Sequence, residues 1–213
     1  MALPKEPRQK MINIMYLVLT ALLALNVSVE ILNAFKTVQS SLDKSSVSID
    51  NSNAILFDQL KAKYEDQKTQ AQAAVYKPWA DKAKEICEKA YIDLDKYKDT
   101  VMNKSGRNLS QGIEEFNYAD IETPTYLFIE HDNGKKLLAE LTQVQNDLLN
   151  ISPEISKEFE GKLPIDLNPP PAEKGNAFIS WEYSYFHMTP TIAALTMLSK
   201  FQNDIKNSEI MIR

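Results

Sequence analysis

The sequence predicts an all-α protein in which a single N-terminal transmembrane helix leads into a helical bundle beyond the membrane. Three observations favour this class. Met11 to Val29 is a run of nineteen residues without a formal charge, and only five of the 213 residues are glycine. The rest of the chain repeats apolar residues at helical spacing. With 44% hydrophobic and 25% charged residues, the composition is typical of helical assemblies.

The uncharged run is the first predicted element. A helix of nineteen residues is about 28 Å long, which is enough to cross the hydrocarbon core of a bilayer. Lys5, Arg8 and Lys10 before it would also suit the basic start of a signal peptide, the competing interpretation. After Leu25 the chain lacks the small-x-small sequence at which such a peptide is cleaved. We therefore interpret residues 11–29 as a retained transmembrane helix.

The distribution of basic residues predicts the orientation of this helix. Residues 1–10 contain three basic residues, whereas the first base after the span is Lys36. Since basic residues favour the cytoplasmic side, we expect residues 1–10 to be a cytoplasmic leader. The rest of the chain then lies across the membrane, in the periplasm of a bacterium.

One face of the predicted span is polar. Gln9, Asn13, Tyr16 and Thr20 recur at spacings of four, three and four, and Ala24 continues the line. Small and hydrogen-bonding side chains are typical of helix contacts inside membranes. This face predicts a helix–helix contact, in the simplest case with a second copy of the chain.

Arg8, at the edge of the span, admits two interpretations. A guanidinium there either reaches back to the lipid headgroups or points inward and pairs with a carboxylate on another helix. The residues alone leave both open.

The chain beyond the span begins with a predicted helical stalk over residues 30–44. A bundle domain is predicted over residues 45–213, and its first residues, Ser45 to Asn53, are polar and predict a break in the helix. A helix from about Ser52 to Val75 would follow, with Leu56 and Leu60 on its inner side. Lys63 or Tyr64 would continue that side.

Pro78 is predicted to begin the next helix, since proline suits the first helical position. The buried stripe of that helix alternates steps of four and three. Its members are Trp79, Ala83, Ile86, Ala90, Leu94, Tyr97 and Val101.

The second half of the bundle is predicted to contain a connection from Asn117 to Asp132, with Tyr126 to Ile129 as loop or helix edge. A turn at residues 132–134 precedes a helix over residues 135–151. The core line of that helix would be Leu137, Leu141, Val144 and Leu148. Ser152 and Pro153 then predict a short helix to about Glu160.

The proline-rich segment from Leu163 to Gly175 is predicted to be extended. It could be a crossover within the bundle or a docking strip for another protein. Aromatic residues follow, and Thr189 and Pro190 suit the start of a last helix. The stripe of that helix could serve the bundle core, a two-fold contact, or both: Ile192, Leu195, Leu198 or Ser199, Gln202 and Ile205.

Charge and chemistry narrow the function classes. The formal net charge is −5, and because the leader carries +2, the remainder carries −7. This argues against nucleic acid as a partner. His131 and His187 are the only histidines, and Cys87 is the only cysteine. No metal-ligand spacing, phosphate loop or activated nucleophile is recognisable, so we expect no enzyme, metal or cofactor, and we expect Cys87 to be a packed thiol.

The segment from Pro7 to Phe35 resembles the N-terminal membrane segment of the GldM/PorM family, the motor subunit of the gliding-motility and type IX secretion machinery of Bacteroidetes. The resemblance rests on polar residues that follow the order of the family: Arg8, Gln9, Asn13, Tyr16, Asn26, Ser28, Glu30 and Asn33. A second patch, Leu195 to Glu209, is similar to the end of the first periplasmic domain of the family. Family members continue into beta-rich domains, so the resemblance implies a longer protein.

The resemblance implies a subunit of an inner-membrane motor driven by the proton motive force. Two copies of the membrane helix would sit inside a ring of GldL/PorL-type subunits whose helices carry a glutamate, and outer periplasmic secretion components would be moved. Arg8 would face that glutamate, with Asn13 and Tyr16 as polar neighbours. An alternative from another class is a single-pass sensor with a helical ligand-binding domain. A second membrane span in the full-length product would favour the sensor, and further beta domains would favour the motor.

Overall fold

The computed structural model describes residues 7–168 and 179–212, and it describes only the backbone of residues 21–28. Its regular elements within these ranges are helices, which confirms the all-α prediction for this part of the chain. The helices are α1 (Pro7–Glu65), α2 (Gln70–Lys104), α3 (Glu122–Thr125), α4 (Asn133–Leu149), α5 (Pro153–Phe159), α6 (Trp181–Phe186) and α7 (Thr191–Ile212). A 3-10 turn, Leu109–Gln111, follows α2, and a π-helical turn, Tyr126–Glu130, follows α3.

Helix α7 is the centre of the bundle. Sixteen of its 22 residues are buried, because α1 and α2 pack along it. Contacts of Gln39 with Ser199 and of Asp50 with Lys206 show that α1 runs parallel to α7. The bond between Ser105 and Thr191 shows that α2 runs antiparallel to it, with its end beside the start of α7.

Helices α4 to α6 complete the core beside α2. Leu137, Leu141 and Leu148 are buried and Val144 is partly buried, which confirms the predicted core line of α4. The Phe128 ring stacks on Phe186 with 4.0 Å between centroids. The stripe predicted on α2 is likewise buried or partly buried along its whole length, because it packs against this core and α7.

The predicted membrane span lies in α1. Among the side chains that the structure describes, no helix combines the length and apolar character needed to cross a membrane. Ala21–Ser28, within the predicted span, lie outside that description. The span therefore stays a prediction.

The predicted break from Ser45 to Asn53 is wrong, because α1 continues without interruption to Glu65. Its polar side chains are satisfied in the helix or against α7. Ser52 donates to the Ser48 carbonyl, and Asn53 donates to the Lys206 carbonyl. Tertiary contacts thus outweigh the low helix propensity of serine and asparagine.

The next two predicted boundaries are also wrong. The helix expected over residues 52–75 is divided by a turn at Asp66–Thr69, where Lys68 N donates to the Asp66 carboxylate at 3.0 Å. Pro78 lies inside α2 rather than at its start. Ala73 and Ala80 are buried on either side of it, so packing maintains the helix although proline removes one backbone bond.

The inner side of the second half of α1 differs from the prediction. Leu56 is exposed, whereas Asn53 is buried and Phe57 is partly buried. Leu60 is partly buried, as predicted. Leu56 was assigned to the wrong side because the helix was predicted to start at Ser52. In the continuous helix α1, the residues before Ser45 determine which positions face the bundle.

Several later boundaries agree with the sequence. The Ser152 hydroxyl accepts from Ile155 N at 3.1 Å and caps α5, as predicted. Helix α7 begins at Thr191, one residue after the predicted start. Residues 163–168 form no helix, and the rest of the proline-rich segment lies outside the described residues. Cys87 is buried, with its sulfur 3.6 Å from the Ile205 carbonyl oxygen, which confirms the packed thiol.

Candidate functional site

The contact between α1 and α7 is the candidate functional site, because it joins the long first helix to the bundle. The α1 residues that face the bundle recur at steps of three and four, the spacing of a coiled coil. We call this line the inner seam. Its members are partly buried, except the last, which is buried: Leu32, Phe35, Gln39, Leu42, Ser46, Ile49 and Asn53.

From Gln39 onward every second position of the inner seam is polar, and Gln39, Ser46 and Asn53 each bond α7 directly. The Gln39 amide donates to the Ser199 hydroxyl at 2.8 Å. The Asn203 amide donates to the Leu42 carbonyl at 3.0 Å. A polar residue at such a position fixes the register of two helices, because a shifted register would leave it unpaired. The inner seam therefore holds α1 and α7 in one alignment.

Lys206 on α7 contacts both α1 and α2. Its ammonium nitrogen lies 2.6 Å from the Asp50 carboxylate and 2.8 Å from the Ser46 hydroxyl, both on α1. The same nitrogen lies 4.1 Å from the ring centroid of Tyr91 on α2, a distance suited to a cation–π contact. One buried side chain thus joins the three long helices.

A second polar contact fixes α7 to α2. The Gln202 amide nitrogen donates to the Asp95 carboxylate at 2.7 Å and to the Tyr91 carbonyl at 3.3 Å. Its amide oxygen accepts from Lys98 at 3.1 Å. Lys206 and Gln202 lie one turn apart on α7, so neighbouring turns of this helix are bonded to α1 and to α2.

A second side of α1, turned by about 100° from the inner seam, is left exposed by the bundle. It carries a second line at steps of three and four, which we call the outer seam: Ile31, Ala34, Val38, Ser41, Ser45, Ser48, Ser52 and Ile55. The Ser41 and Ser52 hydroxyls donate to carbonyls one turn earlier in α1. The outer seam therefore consists largely of small side chains, and two of its serine hydroxyls are already hydrogen-bonded within α1.

The predicted polar face of the span lies on the same line. Gln9, Asn13, Tyr16 and Thr20 are exposed on α1, and the Thr20 hydroxyl donates to the Tyr16 carbonyl at 2.7 Å. Steps of four and three through positions 24 and 27 connect Thr20 to Ile31 in the sequence. The structure therefore brings the polar face and the outer seam into one phase along a single helix.

Arg8 is exposed and lies on another side of α1. At about 100° per residue, it is turned by about 100° from Gln9, 80° from Tyr16 and 140° from Asn13. Arg8 and Asn13 thus lie on different sides of α1, and their predicted neighbourhood at a partner carboxylate stays a prediction. Arg8 and the polar face can contact two different helices at once.

A concave groove lies between α2 and α4. Its volume is about 530 Å³, with Ile86, Leu94 and Leu141 among its apolar lining and charged residues on its rim. Burial, followed by the charges of Glu140 and Asp93 and a hydrogen bond to Glu140, raises the pKa of the nearby Tyr97 to about 12. Tyr97 consequently stays a hydrogen-bond donor at neutral pH.

Sequence reasoning missed Lys206 and Asp50, and it placed Gln202 on the stripe of the last helix without predicting its bonds to α2. A signal was present, because Gln39, Ser46 and Asn53 recur every seven residues within an otherwise apolar line. Once α1 is taken as one continuous helix, that repeat predicts a partner helix with matching polar groups. The incorrect break at Ser45 concealed it.

Together these features define an all-helical domain whose first helix extends past the bundle at its N-terminal end. A family model described as the GldM N-terminal domain matches residues 30–212. The chain therefore belongs to the GldM family, which confirms the resemblance and gives it a general role in gliding motility and type IX secretion. No curated protein matches the chain.

Proposed function

We propose that this chain transmits force in an inner-membrane motor that is driven by the proton motive force and powers type IX secretion and gliding. The observation that carries the proposal is the continuity of α1. Its 59 residues form one helix of about 88 Å, and the inner seam joins its second half to α7. A rotation or shift of the N-terminal half is thereby imposed on the bundle.

In this proposal residues 11–29 cross the inner membrane, residues 1–10 are cytoplasmic, and the stalk over 30–44 leads into a periplasmic bundle. Large apolar side chains are exposed along α1 before Ala21, with Met11 at 75% and Leu17 at 71%. A row of exposed apolar side chains on one helix is unfavourable in water. Lipid and partner helices would cover it.

The outer seam supports a homodimer along α1. Small residues let two helix backbones approach closely, and the seam keeps a coiled-coil spacing over many turns. Because the polar face of the span has the same phase, two copies could remain in contact from the membrane into the periplasm. Arg8 would then point away from the twin helix.

Arg8 is proposed to pair with the intramembrane glutamate of a GldL/PorL-type ring. A buried guanidinium keeps the facing carboxylate ionised, and a proton that neutralises the carboxylate weakens the pair. Moving one charge through 100 mV supplies about 2.3 kcal/mol, similar to the value of a charge-assisted hydrogen bond. Proton flow could thus shift Arg8 from one ring subunit to the next, and the bundle would move outer secretion components.

Replacement of Arg8 tests this proposal. Arg8→Ala should abolish secretion and gliding in cells while the protein stays in the membrane at normal abundance. Arg8→Lys separates charge from the fork geometry of the guanidinium. Lys10→Ala is the matched control, because it removes a nearby charge on another side of α1. Normal secretion by a stably expressed Arg8→Ala variant would exclude Arg8 from the mechanism.

A ligand sensor is the second candidate, and the groove between α2 and α4 is the feature that favours it. Its volume is within the range of small-molecule sites. A sensor should bind a metabolite there, and a substitution of an exposed lining residue such as Gln143→Trp should abolish the response without affecting Arg8-dependent secretion. The motor proposal expects secretion to continue in that variant if the bundle stays folded.

A further inference from the structure

The groove between α2 and α4 combines an apolar floor with an acidic rim, and we propose that it binds a single alkyl chain that ends in an ammonium group. The inference rests on the second candidate function, the ligand sensor, since it names the class of ligand for the same groove. It does not depend on the proposed motor.

The groove opens on the side of α2 that faces away from α1. Ile86 lines the groove, whereas Lys84, two positions earlier, lies 4.9 Å from the ring centroid of Phe57 on α1. Two positions correspond to about 160° around a helix. The contacts proposed for α1 with a twin helix and with a partner ring therefore leave the groove uncovered.

The dimensions of the groove fit a thin occupant. Its lining on α2 extends from Lys82 to Leu94, which is about 18 Å along the helix. A volume of about 530 Å³ over that length corresponds to a mean cross-section of about 30 Å². An α-helix about 10 Å in diameter has a cross-section of about 80 Å². The groove can therefore enclose one extended chain, but not a helix.

The apolar lining of the groove favours hydrocarbon over an extended peptide. The floor consists of four buried residues, Ala90, Leu94, Leu137 and Leu141. The walls consist of three partly buried residues, Ile86, Val144 and Ile151. A peptide backbone in contact with this lining would lose hydrogen bonds to water without gaining others. An alkyl chain has no polar group to satisfy, and each methylene that leaves water favours binding.

The charges of the lining favour a cationic head group. On α4, the charged residues that line the groove are both acidic, Glu140 and Asp147. On α2, two lysines and two acidic residues balance each other: Lys82, Glu85, Lys89 and Asp93. The lining therefore carries a net charge of −2, and an ammonium group complements it.

The end of the groove that contains Glu140 and Asp93 is the place for the head group. Burial, followed by the charges of these two carboxylates and a hydrogen bond to Glu140, raises the pKa of the adjacent Tyr97 to about 12. The negative potential at this end thus acts on a neighbouring group. Asp93 also pairs with Lys96 at 2.7 Å, so Glu140 is the principal partner that remains for an ammonium group.

Quenching of a bimane label by alkyl probes that carry a nitroxide near the end of the chain tests the inference. The full-length chain, in nanodiscs of zwitterionic lipid, would carry Cys87→Ala and Asn150→Cys. Asn150 lines the end of the groove opposite Glu140. Gln67→Cys, in the exposed turn between α1 and α2, is the matched control. Two probes of equal chain length end in an ammonium or a sulfate group.

We expect the ammonium probe to quench the label at position 150 but not at position 67, and the sulfate probe to quench position 150 less. Each added methylene should raise the affinity by up to about fourfold. Glu140→Gln should weaken binding of the ammonium probe by about two- to fivefold, the loss expected for an exposed ion pair. Asp93→Asn should have a smaller effect. Gln143→Trp, which places a large side chain at the exposed rim, should prevent quenching while circular dichroism shows an unchanged helix content.

Equal quenching by the ammonium and sulfate probes would overturn the cationic head group. No quenching at position 150 by either probe would overturn the ligand class as a whole, the result expected if a partner helix covers the groove instead. The sensor function fails separately. If the ammonium probe binds and Gln143→Trp leaves every cellular response unchanged, the binding site stands and the sensor function is excluded.

Discussion

Lys206 and Asp50 form an ion pair of 2.6 Å between α7 and α1 in which only the lysine is buried. The lysine side chain is 10% exposed and the aspartate side chain 55%. Because Asp50 keeps contact with water, it loses little hydration in the folded state, whereas Lys206 depends on its partners for compensation. The pair is thus better suited to fix the position of α1 than to add much stability.

Lys206→Met should weaken the attachment of α1 while retaining the length of the side chain. We expect a loss of about 1–2 kcal/mol in the free energy of unfolding, since a charge-assisted hydrogen bond is lost but Asp50 can be rehydrated. Urea denaturation of the purified chain measures this. Lys96→Met is the control, because Lys96 pairs with Asp93 on the surface of α2, and it should change stability by less than about 0.5 kcal/mol. Equal effects of both variants would contradict a special role for Lys206.

Asp204→Asn should stabilise the chain at neutral pH. Burial raises the pKa of Asp204, and the charge of Asp166 acts in the same direction, while Lys200 opposes both. Lys200 pairs with Asp204 at 2.9 Å, but this contact does not outweigh the effect of burial. The folded chain therefore binds this proton more readily than the unfolded chain. Its stabilising effect is present below the ordinary value of 3.8 and is lost as pH rises through the folded pKa.

The difference in unfolding free energy between Asp204→Asn and the native chain should consequently grow upward from about pH 4 and then level off. Asp120→Asn provides a control of opposite sign. Burial acts to raise the pKa of Asp120, but hydrogen bonds from Thr123 and Glu122 outweigh it and lower the pKa. That substitution should destabilise at neutral pH and have less effect as pH falls through the folded pKa. Parallel profiles for the two variants would contradict these assignments.

Gly134→Ala should destabilise the junction of α4 and α6. A β-carbon at Gly134 would lie 2.4 Å from the β-carbon of Glu182 and 2.6 Å from the Phe128 carbonyl oxygen. Overpacking of this kind costs about 1–3 kcal/mol, measurable by thermal or urea unfolding. Gly161→Ala is the control, because that site is open but has a φ of +70°, and only about 1 kcal/mol of backbone strain is expected. A smaller effect at Gly134 than at Gly161 would contradict the close approach.

Gly134 also illustrates what the sequence could and could not predict. The turn predicted over residues 132–134 is right only at Asp132, since Asn133 and Gly134 already belong to α4. The need for glycine comes from Glu182, 48 positions later, and from the Phe128 carbonyl. The core lines of α2, α4 and α7 were predictable because apolar periodicity is a local property of a helix. The continuity of α1 was not, because Ser45 to Asn53 is helical only through partners on α7, and polar tertiary contacts leave a weak local signal. The role of Lys206 was unpredictable for the same reason, because its partners Ser46 and Asp50 are distant in the sequence.

Insertions after Val29 should distinguish the effect of rotating the proposed span relative to the bundle from the effect of lengthening α1. One inserted alanine turns the proposed span by about 100° relative to the bundle and breaks the line from Gln9 to the outer seam. Duplication of Glu30–Lys36 adds seven residues, which changes the phase by only about 20° and lengthens α1 by about 10 Å. If two copies contact each other along this line, the single insertion should abolish secretion and gliding, and the duplication should retain most of both.

An alanine inserted after Gly161, in an exposed turn, controls for the insertion itself, and immunoblots of membrane fractions measure abundance. Full activity after the single insertion, or equal loss from both, would show that the phase of α1 does not govern transmission.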